Sequence, residues 1–258
     1  MIFKDQMQRT IRLEAIPKRI VSLVPSQTEF LFDLGLENEV VGITKFCIHP
    51  EAWFRSKTRI GGTKTVNIEK VKALKPDLII ANKEENTLAD IEALEKIAPV
   101  WISNIFTLND AFEMMHQIGE ICGKSQKADK ILQSIQNQFA TFENPFRLNY
   151  SKPKVIYLIW KNPYLIAGKN TFIDDLLQKC GLENLTQINR YPEWNPQESE
   201  IPDYILLSSE PFPFKQKDLD ELQNQFPKAI ILLVDGELFS WYGSRLKLSV
   251  AYFQTLFD

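Results

Sequence analysis

The stretch Gly123-Lys-Ser-Gln-Lys-Ala-Asp-Lys-Ile-Leu-Gln-Ser-Ile-Gln-Asn-Gln-Phe-Ala-Thr-Phe-Glu-Asn-Pro145 decides the fold, because no glycine or proline interrupts it between its two ends. Ala128, Ile131, Leu132, Ile135, Phe139 and Phe142 recur at steps of three or four and so share one face of a helix. Lys127, Lys130, Gln133, Gln136 and Asn137 point elsewhere. At about 1.5 Å per residue such a helix spans roughly 30 Å, close to the width of a small domain. It is either a long core helix of one domain or a bridge between two, and its periodicity alone does not choose.

The sequence on either side supplies the choice. Upstream, Arg19-Ile-Val-Ser-Leu-Val24 reads as a buried strand, and Ser26-Gln-Thr-Glu29 has the form of a capping box that opens a helix closed by Gly35. Further strands are expected at 40–44, 76–81 and 100–103. Helices are expected at 68–74, 88–97 and 109–122. Downstream the alternation restarts with a strand at 154–160, a helix at 171–180, a strand at 229–234 and a closing helix at 246–257. Strands alternating with helices imply parallel pairing through crossover units.

Two motifs repeat across the central stretch. Gly35-Leu-Glu-Asn38 returns as Gly181-Leu-Glu-Asn184, and Pro76-Asp-Leu-Ile-Ile80 returns as Pro202-Asp-Tyr-Ile-Leu-Leu207. A repeated supersecondary order implies a repeated fold, the alternative being chance echo of short motifs. The expected architecture is therefore α/β, with two Rossmann-like lobes of parallel sheet (1–122 and 146–258) bridged by one long α-helix (123–145).

Composition excludes several functions. A chain of 258 residues, 44% apolar and 24% charged, is an ordinary globular sequence. A net charge of −3, without a basic run interleaved with aromatics, argues against nucleic acid. Its longest apolar runs fall far short of the ~20 residues of a membrane span. The first eighteen residues lack the apolar core of a secretory signal, so the chain as written is expected in the cytoplasm, or in the periplasm if a leader precedes it. Cys47, Cys122 and Cys180 are odd in number and lack metal-finger spacing.

In open parallel sheets, ligands lie beyond the carboxyl ends of strands. The segments 25–28, 46–49, 82–86, 160–163 and 235–242 are the candidates, Asn82 opening the third. Phe46, Trp160, Trp241 and Tyr242, with Trp194 in the loop 190–196, are expected to line a cleft with flat, rigid faces suited to a large planar ligand. Alternatively each aromatic fills its own core or sits singly on the surface. No nucleophile elbow, dinucleotide fingerprint or H-E-x-x-H motif occurs. Cys47 and His49 stand two apart after a strand, where both could face a cleft; two ligands fall short of a closed zinc site, and packing is the other reading.

These residues carry a resemblance. The 19–29 segment, Val41-Gly-Ile-Thr44 with Phe46, Cys47 and Pro50, Asn67-Ile-Glu-Lys-Val71 with the 74–79 segment, Ala167-Gly-Lys169 and the 180–184 segment together resemble the helical-backbone (class III) periplasmic substrate-binding proteins of cobalamin and iron-siderophore ABC importers. The resemblance implies two lobes joined by a stiff helix, with the ligand in the cleft and little hinge motion. It puts ligand contacts at Phe46, Trp160, Trp194 and Glu237, with Thr63 where cobalamin-binding members have a tryptophan. Cys47, His49, Asn82, Trp241, Tyr242 and Arg245 complete the expected ligand set, Glu237 and Arg245 fixing orientation.

The same resemblance makes Glu69 an exposed acid that meets an arginine of the membrane permease, with Glu200, or else Glu198, as its counterpart in the second lobe. The family cysteine matching Cys180 has a disulfide partner near the C-terminus, which the final helix here lacks. The implied protein is a monomer and not an enzyme. It has no intrinsic cofactor and carries cobalamin, haem or a ferric siderophore to an ABC permease. A second reading is a cytoplasmic enzyme or chaperone acting on such a cofactor, with Cys47 and His49 as a reactive or metal-contacting pair.

Overall fold

A computed structural model describes residues 1–148 and 150–257. The chain divides into two compact units. Unit 1 comprises Met1–Asn104, Asn109–Asn137 and the four residues Tyr242–Arg245; unit 2 comprises Ile105–Leu108, Gln138–Trp241 and the residues from Leu246 onward.

Unit 1 opens with a hairpin of β1 (Ile2–Lys4) and β2 (Thr10–Arg12), followed by β3 (Ile20–Ser22), α1 (Pro25–Asp33), β4 (Val40–Ile43), α2 (Glu51–Ser56) and β5 (Thr58–Arg59). A small antiparallel pair, β6 (Gly61–Gly62) and β7 (Thr65–Val66), precedes α3 (Ile68–Ala73), β8 (Leu78–Asn82), α4 (Leu88–Leu94), β9 (Val100–Ser103), α5 (Leu108–Ile121) and α6 (Ser125–Thr141). The main sheet has the order β5-β4-β3-β8-β9, parallel throughout. Its inner strands are covered on both faces, which is why β8 is buried along its whole length and reads as an unbroken apolar run.

Two expectations change in unit 1. No element is expected in the first eighteen residues, yet the β1–β2 hairpin covers the outer edge of β9. The Gln6 amide donates to the Ile102 carbonyl at 3.2 Å, the Ile102 amide donates to Asp5 Oδ2 at 3.3 Å, and Arg9 Nη2 donates to the Val100 carbonyl at 2.7 Å. An edge strand left open is a template for unwanted pairing, and the hairpin closes it. The capping box at Ser26 and Glu29 does not form. Pro25, with its fixed φ and no N–H, takes the first helical position behind Val24, so the helix begins one residue early without a side-chain cap. Glu29 instead accepts two bonds from Arg245, from Nε and Nη2, each 2.8 Å.

The helix expected over 123–145 runs from Ser125 to Thr141, about 25 Å. Gly123, at φ +65°, ends α5 and does not begin α6, and Phe142 lies past its end. Ala128 and Ile135 are its buried residues. Ala128 packs so closely on α5 that a Cβ at Gly119 would stand 2.4 Å from its own. The boundary between the units falls inside α6, between Asn137 and Gln138.

Unit 2 contains β10 (Lys154–Trp160), β11 (Leu165–Ile166), α7 (Phe172–Lys179), β12 (Glu183–Asn184), β13 (Tyr204–Ser208), α8 (Gln216–Gln225), β14 (Ile230–Val234), α9 (Glu237–Ser240) and α10 (Leu246–Leu256). Its sheet runs β11-β10-β13-β14, with β12 also on β10. The pairs among β10, β12, β13 and β14 are parallel, and β11 folds back antiparallel on β10. Alternate residues Ile156, Leu158, Ile205, Leu207 and Ile231 build one core with Phe214, Leu222 and Phe226. Tyr157, on the opposite face of β10, packs with its ring centroid 5.2 Å from that of Phe239, which in turn lies 4.7 Å from Phe253.

The two sequence echoes are matching pieces of local structure. Gly35 and Gly181 both sit in the left-handed region, at φ +76° and +83°, just past α1 and α7. Leu36 N–H donates to Leu31 and Leu182 N–H to Leu177, while each glycine N–H donates to the residue three before it, so both helices end in a Schellman motif. The paired Pro-Asp dipeptides act as strand clamps. Asp77 accepts the amides of Lys18 and Arg19 at 2.8 and 2.9 Å as β3 begins, and Asp203 accepts the Lys154 amide at 2.7 Å as β10 begins.

Candidate functional site

Four strands finish on a small polar residue after an apolar run: Ser22, Asn82 and Ser103 in unit 1, Ser208 in unit 2, all buried. A polar group can be buried there only with partners. Thr28 Oγ1 donates to Ser22 Oγ at 2.8 Å and Gln27 Nε2 to Ser103 Oγ at 2.5 Å. These residues mark the carboxyl-end face of each sheet. Gln27 and Thr28 lie in the candidate segment 25–28, whereas Ser22 and Ser103 carried no motif, the polar ending of each strand run being their signal.

On unit 1, Phe46 follows β4 and is 50% exposed, with the Lys45 ammonium 5.0 Å from its ring centroid. Behind it stands Gly62, where a Cβ would come within 3.3 Å of the ring. Thr63 is half-buried in the turn between β6 and β7, and its carbonyl accepts from Asn86 Nδ2 at 2.9 Å. Asn82 does not present its amide outward as expected. Its Nδ2 donates to Ser103 Oγ at 3.0 Å and its Oδ1 accepts the amides of Glu84 and Glu85 at 2.8 and 3.0 Å, so the side chain shapes the loop after β8. Tyr242 is nearly buried and its hydroxyl donates to Glu85 Oε1 at 3.4 Å. Arg245, expected to orient ligand, has its guanidinium gripped bidentately by Glu29.

Cys47 and His49 do not face outward together, and for Cys47 the structure has the other reading, packing. Cys47 is fully buried, its Sγ 3.1 Å from both Thr28 Oγ1 and Thr44 Oγ1, whereas His49 is half-buried beyond the exposed Ile48. Burial pushes the Cys47 thiol up to about 11, which opposes thiolate formation. Among the described residues, no group of three or more His, Cys, Asp or Glu side chains is arranged to hold a metal. Cys122 and Cys180 are likewise buried free thiols.

On unit 2, Trp160 ends β10 at 40% exposure, with its indole edge-on to Phe212 at 5.7 Å. Trp194, expected to line a cleft or else to fill its own core, does the latter: it is 8% exposed, stacked on Phe226 at 5.7 Å and packed against Tyr164 at 5.9 Å within the unit's core. A flat apolar ring gains more from burial against Phe226 than from exposure in a loop. Glu237 is half-buried in the first turn of α9, and its amide donates to Asp235 Oδ1 at 3.0 Å. Trp241 is nearly buried, and its Nε1 donates to Glu210 Oε1 at 2.8 Å. Glu210 carried no motif signal. Burial, with Glu237 and Asp235 nearby, lifts its carboxyl above the ordinary range against the lowering effect of its donors Ser240 and Trp241.

The two acids assigned to docking are both exposed. Glu69 lies in the first turn of α3, which Asn67 caps by accepting the Lys70 amide. Glu200 pairs with Lys154 and raises the lysine's pKa by that hydrogen bond; residues 196–201 form turns without a helix. No helix among the described residues is long and apolar enough to cross a membrane.

Each of the two α/β units thus carries a large exposed aromatic at or just after the carboxyl end of a strand, Phe46 and Trp160. The chain belongs to the periplasmic binding protein family, whose model matches residues 20–227. An uncharacterised ABC transporter substrate-binding lipoprotein of Bacillus subtilis is 30% identical over 189 residues, which are 70% of this chain and 59% of that protein. A vitamin B12-binding protein of Pectobacterium carotovorum is 22% identical over 84% of this chain and 72% of its own length. Among solved structures, a periplasmic haem-binding protein of Pseudomonas aeruginosa superposes with a TM-score of 0.79 at 23% identity, covering 93% of this chain and 92% of that one; this likeness establishes the fold. The chain thus spans about three fifths of the length of the first of these curated relatives.

Proposed function

We propose that the protein is the substrate-binding component of an ABC importer and that its cargo is a large metal chelate: a corrinoid, haem or ferric siderophore. The observation that carries this reading is the placement of Phe46 and Trp160, two large aromatic residues half exposed, one just after β4 and one at the end of β10. Exposed aromatic faces contribute area with little rotamer entropy lost, which suits a large, rigid ligand. Family membership and the vitamin B12-binding relative support the same reading.

Thr63 on unit 1 and Glu237 on unit 2, with backbone groups after the strands, are the polar contacts offered to the chelate, while Asn82 and Cys47 shape unit 1 near its strand ends and Trp194 packs in the core of unit 2. The chelate is cargo, not a resident cofactor. Glu69 and Glu200 are the acids offered to the permease, and the protein works outside the cytoplasm, as the family's periplasmic members do, as a monomer. An enzymatic role for the Cys47–His49 pair finds no support, because the thiol is enclosed by Thr28 and Thr44.

A thermal-shift series with haemin, cyanocobalamin and a ferric trihydroxamate tests the cargo. At ligand near 100 Kd, binding adds about 2.7 kcal/mol to stability, a rise of several degrees in Tm. No shift with any of the three removes the reading. Fractionation of native cells tests the compartment, and recovery in the cytosol alone contradicts export.

A further inference from the structure

We infer that Glu210 is the positioning residue of the ligand surface on unit 2, its ionised carboxylate fixing the Trp241 indole and the last turn of α9, so that chelate affinity depends on that charge. The inference rests on the reading of this protein as a chelate carrier.

Strands β13 and β14 run side by side to their last residues, where Ser208 pairs with Val234, and the chain then leaves each strand in a separate loop. Glu210, two residues past β13, ties the loops together: its Oε1 accepts from Ser240 Oγ at 2.7 Å and from Trp241 Nε1 at 2.8 Å. Its own backbone is anchored, since Ser208 Oγ donates to the Glu210 carbonyl at 2.6 Å and Tyr157 O–H donates to Ser208 Oγ at 3.3 Å. Gly236 lets the loops approach, because a Cβ there would stand 2.3 Å from Ser208 Oγ and 2.7 Å from Glu210 Cγ.

The surroundings make a carboxylate an expensive choice. Among the titratable groups that face it, Asp235 and Glu237 come from the loop and first turn of α9, and Tyr157 comes from β10; Tyr252, on α10, accepts the Asp235 amide at 2.8 Å. All are acids or phenols. A glutamine would give the two donors the same oxygen at no electrostatic cost. A carboxylate adds stronger, charge-assisted bonds that weaken on protonation. Trp241 and α9, which carries Glu237, are therefore held firmly when Glu210 is ionised and loosely when it is protonated.

The test compares the full-length wild type with Glu210→Gln and Glu210→Ala from pH 7.5 to 5.0. Affinity for cyanocobalamin, haemin and a ferric trihydroxamate is measured alongside the Trp241 emission, the latter isolated by difference against Trp241→Phe, with far-UV circular dichroism confirming the fold of each variant. Wild-type affinity is expected to fall as pH drops and the carboxylate takes up its proton, by about tenfold once protonation is complete, the worth of one charge-assisted hydrogen bond. Glu210→Gln should bind with a flat pH profile, and Glu210→Ala weakly throughout. Wild type and Glu210→Gln sharing one pH slope, or a folded Glu210→Ala binding as wild type, overturns the inference. If wild type binds none of the chelates, the carrier reading fails by itself. The Trp241 emission then decides whether Glu210 positions the indole, since it must shift with pH in wild type and not in Glu210→Gln.

Discussion

Cys47, Asp77 and Glu210 show how single residues divide between holding the fold and serving the surface. Burial raises the thiols of Cys47 and Cys122, to about 11 and about 12, and raises that of Cys180 as well. A disulfide reagent at pH 8 should therefore titrate none of the three in the native protein and all three in guanidinium; a fast-reacting native thiol would restore the enzyme reading. Asp77 clamps two backbone amides at an exposed strand start, so Asp77→Ala should cost about 1 kcal/mol in urea denaturation. For Glu210, the folded pKa lies above the unfolded one, so its contribution to stability is full below the ordinary carboxylate pKa of about 4.5 and is lost as pH rises through the elevated folded value. The stability of Glu210→Gln relative to wild type should consequently grow between pH 4.5 and pH 7 in parallel denaturation curves. On the account given above, affinity moves the other way with pH, so the charge that positions Trp241 is held at the expense of stability.

Among elements, legibility followed the length and repetition of the signal. The apolar runs of β8, β9 and β10 and the glycine ends of α1 and α7 were readable because burial on both faces and a left-handed cap leave a strong local imprint. Elements of two or three residues, such as the β1–β2 hairpin and the β6–β7 pair, contain too few positions to show a period. Candidate surface residues were harder to read. Phe46 and Trp160 are exposed where strand ends suggested, but whether a tryptophan after a strand faces outward or joins a core depends on distant neighbours. Phe226 settles that question for Trp194, and Glu210 does so for Trp241. The paired helix caps make a graded prediction. Gly35→Ala meets only the mobile Lys127 ammonium and should cost about 1 kcal/mol, whereas Gly181→Ala also drives a Cβ to 2.0 Å from Asn144 Oδ1 and should cost more, about 2 kcal/mol or above. Equal melting temperatures for the two variants would show that the Asn144 contact is not limiting.

At the scale of the whole molecule, two α/β units repeat one local grammar, and the long helix α6 contributes residues to both. Cargo recognition on this account belongs to exposed aromatic faces at strand ends, not to a reactive group. The most direct test is a fluorescence-quenching titration of the wild type, Phe46→Ala and Trp160→Ala with haemin, cyanocobalamin and a ferric trihydroxamate. Saturable binding of at least one chelate by the wild type is expected, weakened about tenfold or more in each variant, as when a central aromatic anchor is removed. Absence of saturable binding to all three, or wild-type affinity in both folded variants, would contradict it.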